Sequence, residues 1–389
     1  MDLSNTAEED DFRHRLRSWL HETLPRLPDK PAATNWPARR AYDCAWQRAL
    51  YDAGYAGLHW PADAGGRGAT PTQHLIFLEE TELAGAPYVG ANFVGLLHAG
   101  PTIAAEGTAA QRARWLPPIL RGEEVWCQGF SEPEAGSDLA SLRTRAVRDG
   151  DVYVVTGSKI WTSHAEVADW CELLVRTDPS APGHRGISWL AMPMDAPGVS
   201  VRPLRTLAGS TEFAEVFLDG VLVPVGNRVG AENDGWRVTM VTLSYERGTA
   251  FAGEVAACRR TLARLARAAR ENGRWDDAVL RRRLGHLNAV FGALWRLVQW
   301  NASEAEASLR SGGDGVPGVG GSVFKLRYSQ ARQELYAAAA EILGPLGLDA
   351  DHEWTAERLS SLAYTIAAGT SQIQHNIIAE RILGLPRGR

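Results

Sequence analysis

Three segments of the chain contain side chains that could do chemistry, and each also has an ordinary structural interpretation. Trp161, taken alone, would pack into a core at the end of a strand. Ser131 and Ser137 lie among Pro, Gly and Asp residues, a composition typical of turns. Glu246 could accept a proton, but with Arg247 it also resembles the charge pairs found on solvated helix faces. What these residues do therefore depends on the elements that position them.

A glycine-rich segment matches a cofactor motif only superficially. Residues 313–318 fit the GxGxxG fingerprint of dinucleotide-binding loops, which works between a strand and a helix. Here a predicted helix precedes it and Pro317 lacks a backbone donor, so we interpret the segment as a connector. The four cysteines are scattered without a CxxC pair, so no disulfide framework or metal site is predicted.

The bulk composition is that of an ordinary globular protein of two or three domains. The 389 residues are 45% hydrophobic and 22% charged, with a formal net charge of −5. This charge gives no reason to expect a nucleic-acid partner. The N-terminus is acidic and no apolar run is long enough to span a membrane, so we expect a cytoplasmic protein.

The pattern of apolar residues divides the chain into three parts. Helical periodicity covers residues 1–122, short apolar runs separated by Pro and Gly predict strands over 123–232, and the helical period returns over 233–389. We therefore predict an α+β protein with an N-terminal helical domain, a middle β-barrel or sandwich, and a C-terminal four-helix bundle.

Local signals place three boundaries within these parts. Thr70 followed by proline predicts the start of a helix. A second helix, capped by Thr108, is expected to stop before Pro117. The pair Asp149-Gly150 predicts a hairpin turn.

Over nearly its whole length the chain resembles the acyl-CoA dehydrogenase family, through motifs that occur in the family's order. They are Trp126-Cys-Gln-Gly-Phe-Ser-Glu-Pro-Glu-Ala-Gly-Ser-Asp138, Thr156-Gly-Ser-Lys-Ile-Trp-Thr-Ser163, Glu341-Ile-Leu-Gly-Pro-Leu-Gly347 and the C-terminal signature over residues 365–386. The resemblance implies the family's three-domain fold and an FAD-dependent enzyme that introduces a double bond next to the carbonyl of an acyl thioester.

The resemblance also assigns residues to the cofactor. The hydroxyl matching Ser131 donates to the flavin, Trp161 packs on it, and Ser163 lies near N5, the atom that receives the hydride. Glu341 stands where the family commonly has glutamine, and a carboxylate there would repel a pyrophosphate. The expected cofactor contacts are Gln128, Phe130, Ser131, Trp161, Ser163, Arg274, Glu341, Gly344, Thr370 and Gln372.

The catalytic base is the point at which the chain departs from many members of the family. The residue before Gly-Thr in the C-terminal signature is often the glutamate that removes the α-proton, and here it is Ala368. In a subset of the family the base is the first residue of a Glu-Arg pair after the β-domain, which implies Glu246 here. Burial beside the flavin would raise the pKa of Glu246 toward the working pH. The expected substrate contacts are Ser137, Tyr245, Arg247, Ala368 and Gly369.

The leading hypothesis is thus an FAD-dependent dehydrogenase of acyl-CoA or acyl-carrier-protein thioesters. The resemblance implies a homo-oligomer, a dimer or tetramer, that passes electrons to an electron-transfer flavoprotein or another acceptor. Two alternatives stay open: a flavin oxidase or monooxygenase on the same fold, and a flavin-poor partner subunit of a hetero-oligomeric dehydrogenase.

Overall fold

Helices occupy both ends of the chain and strands occupy its middle. The computed structural model describes residues 5–32, 34–246, 252–311, 320–350 and 352–386, and for residues 244–246 it describes the backbone alone. The three-part fold class expected from the sequence is confirmed. The proposed boundaries, 1–122, 123–232 and 233–389, stay predictions.

The N-terminal part is helical. Its α-helices are α1 (Ala7–Thr23), α2 (Trp36–Asp52), α3 (Pro71–Leu83), α4 (Gly100–Glu106) and α5 (Ala109–Leu120). Helix α3 begins after the N-cap Thr70, as the sequence predicts, and Thr70 and Gln73 together form a capping box. A π-turn at Gly95–Ala99 leads into α4. The helices share a core with Trp126 and Trp189 of the middle part, so the two parts pack as one body.

The expected end of α5 is wrong. The helix continues through Pro117 and Pro118 to Leu120. The two prolines lie in its last turns, where few hydrogen bonds can be lost. Continuing the helix buries Ile119 and Leu120, each no more than 2% exposed, and this burial offsets the missing bonds.

The middle part is one sheet of eight strands around its own core. The strands are β1 (Trp126–Gly129), β2 (Arg145–Asp149), β3 (Val152–Ser163), β4 (Trp170–Arg176), β5 (Ile187–Pro193), β6 (Val199–Leu204), β7 (Phe213–Pro224) and β8 (Arg228–Val229). Their order is β6-β7-β3-β2-β4-β5-β8, and β1 pairs in parallel with β4. The predicted turn at Asp149-Gly150 joins β2 to β3 as an antiparallel hairpin.

The C-terminal part is a bundle of long helices followed by shorter ones. The helices are α6 (Gly235–Glu246), α7 (Ala252–Glu271), α8 (Ala278–Arg310), α9 (Gly320–Leu343), α10 (Glu353–Ser361) and α11 (Ser371–Ile377). In α7 the buried residues recur every three or four positions (Val255, Cys258, Leu262, Leu265, Ala269), which places one apolar stripe against α8 and α9. The rejected GxGxxG segment, residues 313–318, lies outside the described residues.

Among the described residues, no helix is both long and apolar enough to cross a bilayer.

Helix α3 connects the two helical parts of the molecule, because it packs against α7 and α8 as well as α1. The N-terminal part and the bundle are therefore in direct contact, and a cavity lies between them.

Candidate active site

A bulge in β3 turns Trp161 out of the sheet. The pairing of β3 with β7 shifts register between Lys159 and Thr162, which re-aims the side chains that follow. Trp161 has φ +61°, a conformation that costs energy in a non-glycine residue. Its ring is 57% exposed and makes an edge contact with Phe213, with centroids 6.0 Å apart. A strained, outward-facing indole at this bulge is suited to cover a planar ring.

The two hydroxyls that the sequence assigns to the flavin lie near this bulge. The backbone N of Ile160 donates to the carbonyl oxygen of Ser131 over 2.9 Å, so the first motif lies against the second. Neither the Ser131 nor the Ser163 hydroxyl bonds to another described residue, and both side chains are partly exposed. Two free hydrogen-bond donors beside an exposed indole fit the FAD that the resemblance implies.

A buried ion pair, not anticipated from the sequence, holds the two motifs together. Lys159 Nζ lies 2.8 Å from Glu132 Oε1 and also donates to the carbonyl oxygen of Phe130, and the lysine is fully buried. The two carboxylate oxygens of Glu132 also accept from the backbone N of Arg143 and Thr144. Burial is the largest single influence and disfavours the charge on Glu132, but Lys159 together with the hydrogen bonds from Thr144 and Arg143 outweighs it, so the pKa of Glu132 falls below its ordinary value of 4.5.

The side chains of Gln128 and Phe130 have partners away from the exposed face. Gln128 Nε2 donates to Glu172 over 2.9 Å and lies 3.1 Å from the His98 ring. Phe130 is buried in the large core. The contacts of Gln128 and Phe130 with the cofactor stay predictions. Ser137, expected to touch the thioester arm, lies exposed in the loop after Ser131.

A cavity of about 600 Å³ opens between the N-terminal helices and the bundle. One wall comes from α2, α3 and the π-turn at 95–99, and the other from α7, α8 and α9. Most of its lining is aromatic or aliphatic, including Trp46, Leu50, Trp60, Phe77, Val298 and Phe324. A concave apolar space with few polar groups is the usual form of a small-molecule site.

Helix α6, which ends at position 246, packs against one wall of this cavity. Helix α6 packs against the π-turn that contributes Leu96 and Leu97 to the lining, and Thr242 bonds to Thr102 of α4 over 2.8 Å. Glu246 is one turn beyond Thr242. The side chains of Tyr245 and Glu246, and all of Arg247, lie outside the described structure, so their roles stay predictions.

Two buried groups fix the loop that carries the alanine at 368. Lys325 Nζ donates to the carbonyl oxygen of Gly369 over 2.6 Å. Gln374 Nε2 donates to the carbonyl oxygens of Ala368 and Gly369. Ala368 itself is exposed and has φ +52°, and the side chain of Thr370 caps α11. The loop is thus held rigidly beside Phe324, which lines the cavity, while Gln372 is exposed.

The remaining predicted cofactor residues lie at one end of the bundle, away from this loop. Asn272 Nδ2 donates to the carbonyl oxygen of Ile342 over 2.8 Å, which ties the turn containing Arg274 to the end of α9. Glu341 and Gly344 lie at that same end. Because Glu341 is 16 residues after the lysine that holds the loop, the two are about 24 Å apart along α9.

The charge of Glu341 is offset within the chain. Arg283 of α8 forms an ion pair with Glu341. The repulsion that this carboxylate would exert on a phosphate is therefore weaker than the sequence alone suggests. Within one chain, the structure brings together Ser131, Trp161 and Ser163, and separately brings together Arg274, Glu341 and Gly344.

The comparisons with known proteins agree with this architecture. Family models described as the acyl-CoA dehydrogenase N-terminal, middle and C-terminal domains match residues 6–123, 127–221 and 233–383. Acyl-CoA dehydrogenase IpdE1 of Mycobacterium tuberculosis is 39% identical over 386 residues, covering 97% of this chain and 98% of that protein.

Solved structures resemble the chain over its full length. The Tcur3481–Tcur3483 steroid ACAD has a TM-score of 0.84 at 31% identity, and each chain is covered completely. The ChsE4–ChsE5 complex from Mycobacterium tuberculosis has a TM-score of 0.80 at 32% identity, again with full coverage. The chain therefore belongs to the acyl-CoA dehydrogenase family, whose members use FAD to dehydrogenate acyl thioesters.

Proposed function

We propose that this enzyme desaturates a bulky, polycyclic acyl thioester, with a substrate of about the size of a steroid. The observation that carries the proposal is the apolar cavity of about 600 Å³. An apolar cavity of about 150 Å³ can hold one benzene ring, so this one has room for about four. The similarity to a protein named a steroid ACAD supports the same substrate class.

In this proposal the residues of the chain divide into three groups. FAD supplies the hydride acceptor when it is bound. Ser131, Trp161 and Ser163 hold its ring, and Thr370 with Gln372 contacts it from the C-terminal signature. Glu246 removes the α-proton, and the methyl group of Ala368 leaves room beside the acyl group. Arg247, Tyr245, Gly369 and Ser137 border the thioester.

The second FAD contact set requires another subunit. Arg274, Glu341 and Gly344 lie far from the loop at 368, so we propose that they serve the flavin of a neighbouring copy in a homo-oligomer. Exposed leucines and isoleucines of the C-terminal part support association (Leu346, Leu348, Ile366, Leu383, Leu385). Light scattering on the purified chain should give the mass of a dimer or tetramer that contains flavin. A monomer without flavin would instead favour the flavin-poor partner of a hetero-oligomer.

The electron acceptor and the cellular location are also part of the proposal. We infer an electron-transfer flavoprotein or another protein acceptor, and a cytoplasmic enzyme. After anaerobic reduction by substrate, slow reoxidation in air would support a dehydrogenase. Rapid reoxidation, with peroxide or a hydroxylated product, would establish the oxidase or monooxygenase alternative instead.

Anaerobic titration with a panel of thioesters tests the substrate class. A four-ring steroid acid thioester should bleach the flavin at a concentration at least about tenfold below that needed with butyryl-CoA, because it buries more apolar surface. CoA and acyl-carrier-protein forms of each acyl group identify the carrier. Equal or better bleaching by butyryl-CoA would contradict the proposed substrate.

Filling the cavity should separate large from small substrates. Ala302 of α8 is buried and lines the cavity, so Ala302→Phe should raise the KM for the four-ring thioester at least about tenfold. Bleaching by butyryl-CoA should change much less. Ala307→Phe, on the exposed side of the same helix, is the matched control and should leave both substrates unaffected. If Ala302→Phe leaves the four-ring KM unchanged, the acyl group does not occupy this cavity.

The indole of Trp161 should contribute to flavin retention. Aromatic contacts contribute about 0.5–1.5 kcal/mol beyond buried area, so Trp161→Ala should weaken FAD binding by about tenfold. Fluorescence of flavin released on dilution measures this change. Trp300, 48% exposed on α8, provides the control variant Trp300→Ala. Equal FAD dissociation constants for the two variants would contradict the assignment of Trp161.

A further inference from the structure

The cavity extends along α3, between two ends of different character. Glu82 and Tyr88 line one end together with Glu254, which accepts a hydrogen bond from Tyr328. The Tyr328 ring in turn contacts Tyr364, with centroids 5.9 Å apart, four residues before Ala368. This end is therefore adjacent to the C-terminal signature, where the thioester is expected.

The opposite end contains a pair of histidines. His74 lies eight residues before Glu82 on α3, about 12 Å along the helix axis. Its ring stacks on that of His59, with centroids 4.6 Å apart and an angle of 25° between the planes. Both rings line the cavity. No hydrogen bond among the described residues involves the ring of His59.

Burial keeps both imidazoles neutral. It lowers the pKa of His59 to about 4, and burial together with His59 lowers the pKa of His74 as well. A neutral imidazole offers one N–H donor and one nitrogen acceptor. A polar ring in an apolar wall favours a ligand oxygen that can exchange hydrogen bonds with it, because an apolar ligand group would leave the ring nitrogens of His59 unpaired.

We propose that His59, positioned by its stack on His74, binds a ketone or hydroxyl oxygen on the ring system of the acyl group, at the end remote from the thioester. The histidines are specificity residues, since they lie too far from the C-terminal signature to take part in the proton or hydride transfer. The two imidazole rings are stacked, whereas the side chains that bind a metal ion point at one common centre. We therefore do not interpret the pair as a metal site. This inference rests on the proposed function, because it assumes that the cavity receives a bulky acyl group.

Binding measurements with a matched pair of ligands test the assignment. The probes are two CoA thioesters of the same four-ring acid, one with a ring ketone remote from the carboxyl group and one without it. Calorimetry on the holoenzyme should show at least about tenfold tighter binding of the ketone, the effect of one hydrogen bond to a desolvated site. His59→Phe keeps the stacked ring and should abolish this preference, whereas His59→Gln keeps a donor and should retain most of it.

The outcomes separate this inference from the proposed function. The histidine site is supported if wild type prefers the ketone and His59→Phe removes this preference. The affinity for the ketone-free thioester should be the same in both proteins. Equal affinities in wild type, or a preference that survives in His59→Phe, would overturn it even if both thioesters bleach the flavin. If both thioesters bind but neither bleaches the flavin, the proposed dehydrogenation of these substrates is wrong, and a preference for the ketone would still support the histidine site. If neither binds, both proposals are wrong.

Discussion

Replacing Glu246 by glutamine should slow anaerobic bleaching of the flavin by acyl thioester about 10²–10⁴-fold, the usual contribution of a positioned general base. Glutamine preserves the shape of the side chain but cannot accept the α-proton. Binding of the thioester should be nearly unchanged, so the loss appears in the first-order bleaching rate rather than in the substrate concentration at half-saturation. Stopped-flow absorbance under anaerobic conditions measures both quantities.

A second carboxylate in the cavity provides the control. Glu254 also lines the cavity, eight residues further along the chain, and it accepts hydrogen bonds from Tyr328 and Arg332. Both bonds go to its Oε2 and hold the carboxylate toward α9, so we do not expect it to act as the base. Glu254→Gln should therefore bleach within about tenfold of wild type. If Glu254→Gln bleaches the flavin much more slowly than wild type while Glu246→Gln bleaches it at the normal rate, the catalytic base is Glu254 and not Glu246.

Replacing Lys159 by methionine should lower the free energy of unfolding by about 3–5 kcal/mol, because it leaves the carboxylate of Glu132 buried without its partner. The loop at Phe130 would lose a hydrogen bond at the same time, so the flavin content of the purified protein should also fall. Urea unfolding followed by tryptophan fluorescence measures the stability, and absorbance at the flavin band measures the content.

Two further variants give this experiment its controls. Lys30 is exposed, so Lys30→Met should change stability by no more than about 0.5 kcal/mol. The double variant Lys159→Met/Glu132→Gln should be less destabilised than Lys159→Met, because no unpaired charge remains. Equal unfolding midpoints for Lys159→Met and Lys30→Met would contradict the role of the ion pair.

The ion pair also predicts how the effect changes with pH. In wild type the pKa of Glu132 is depressed below 4.5, so its stabilisation is present above pH 4.5 and is lost as the pH falls through the lower folded value. Without Lys159, only the two backbone hydrogen bonds oppose burial, so the pKa of Glu132 would rise relative to wild type and the variant would lose less stability as Glu132 takes up a proton. The difference between wild type and Lys159→Met should therefore narrow below about pH 5.

The sequence predicts the fold well because its signals are local. Helical periodicity, the N-cap at Thr70 and the turn at Asp149-Gly150 each act within a few residues, and all are confirmed. The predicted end of α5 was wrong. Local rules for Pro117 omit the burial of Ile119 and Leu120, which depends on tertiary packing.

The interactions that position the site are less visible in the sequence because they join distant segments. Lys159 and Glu132 are 27 residues apart, and Gln128 finds Glu172 only because β1 pairs with β4. One feature of the sequence could have indicated these positions: only three of the 41 lysines and arginines are lysine. Two of the three, Lys159 and Lys325, are buried and hold loops of the site. Basic residues that stay lysine in an arginine-rich chain are candidates for such positions.

The central claim is that α6 and the loop at Ala368 border one pocket, so that a carboxylate from either can reach the same carbon. The most direct test is the anaerobic bleaching rate of Glu246→Gln/Ala368→Glu compared with Glu246→Gln alone. We predict that the second substitution restores the rate at least about tenfold, because it returns a general base to the pocket. A double variant that binds flavin and thioester normally but bleaches no faster than Glu246→Gln would contradict the claim.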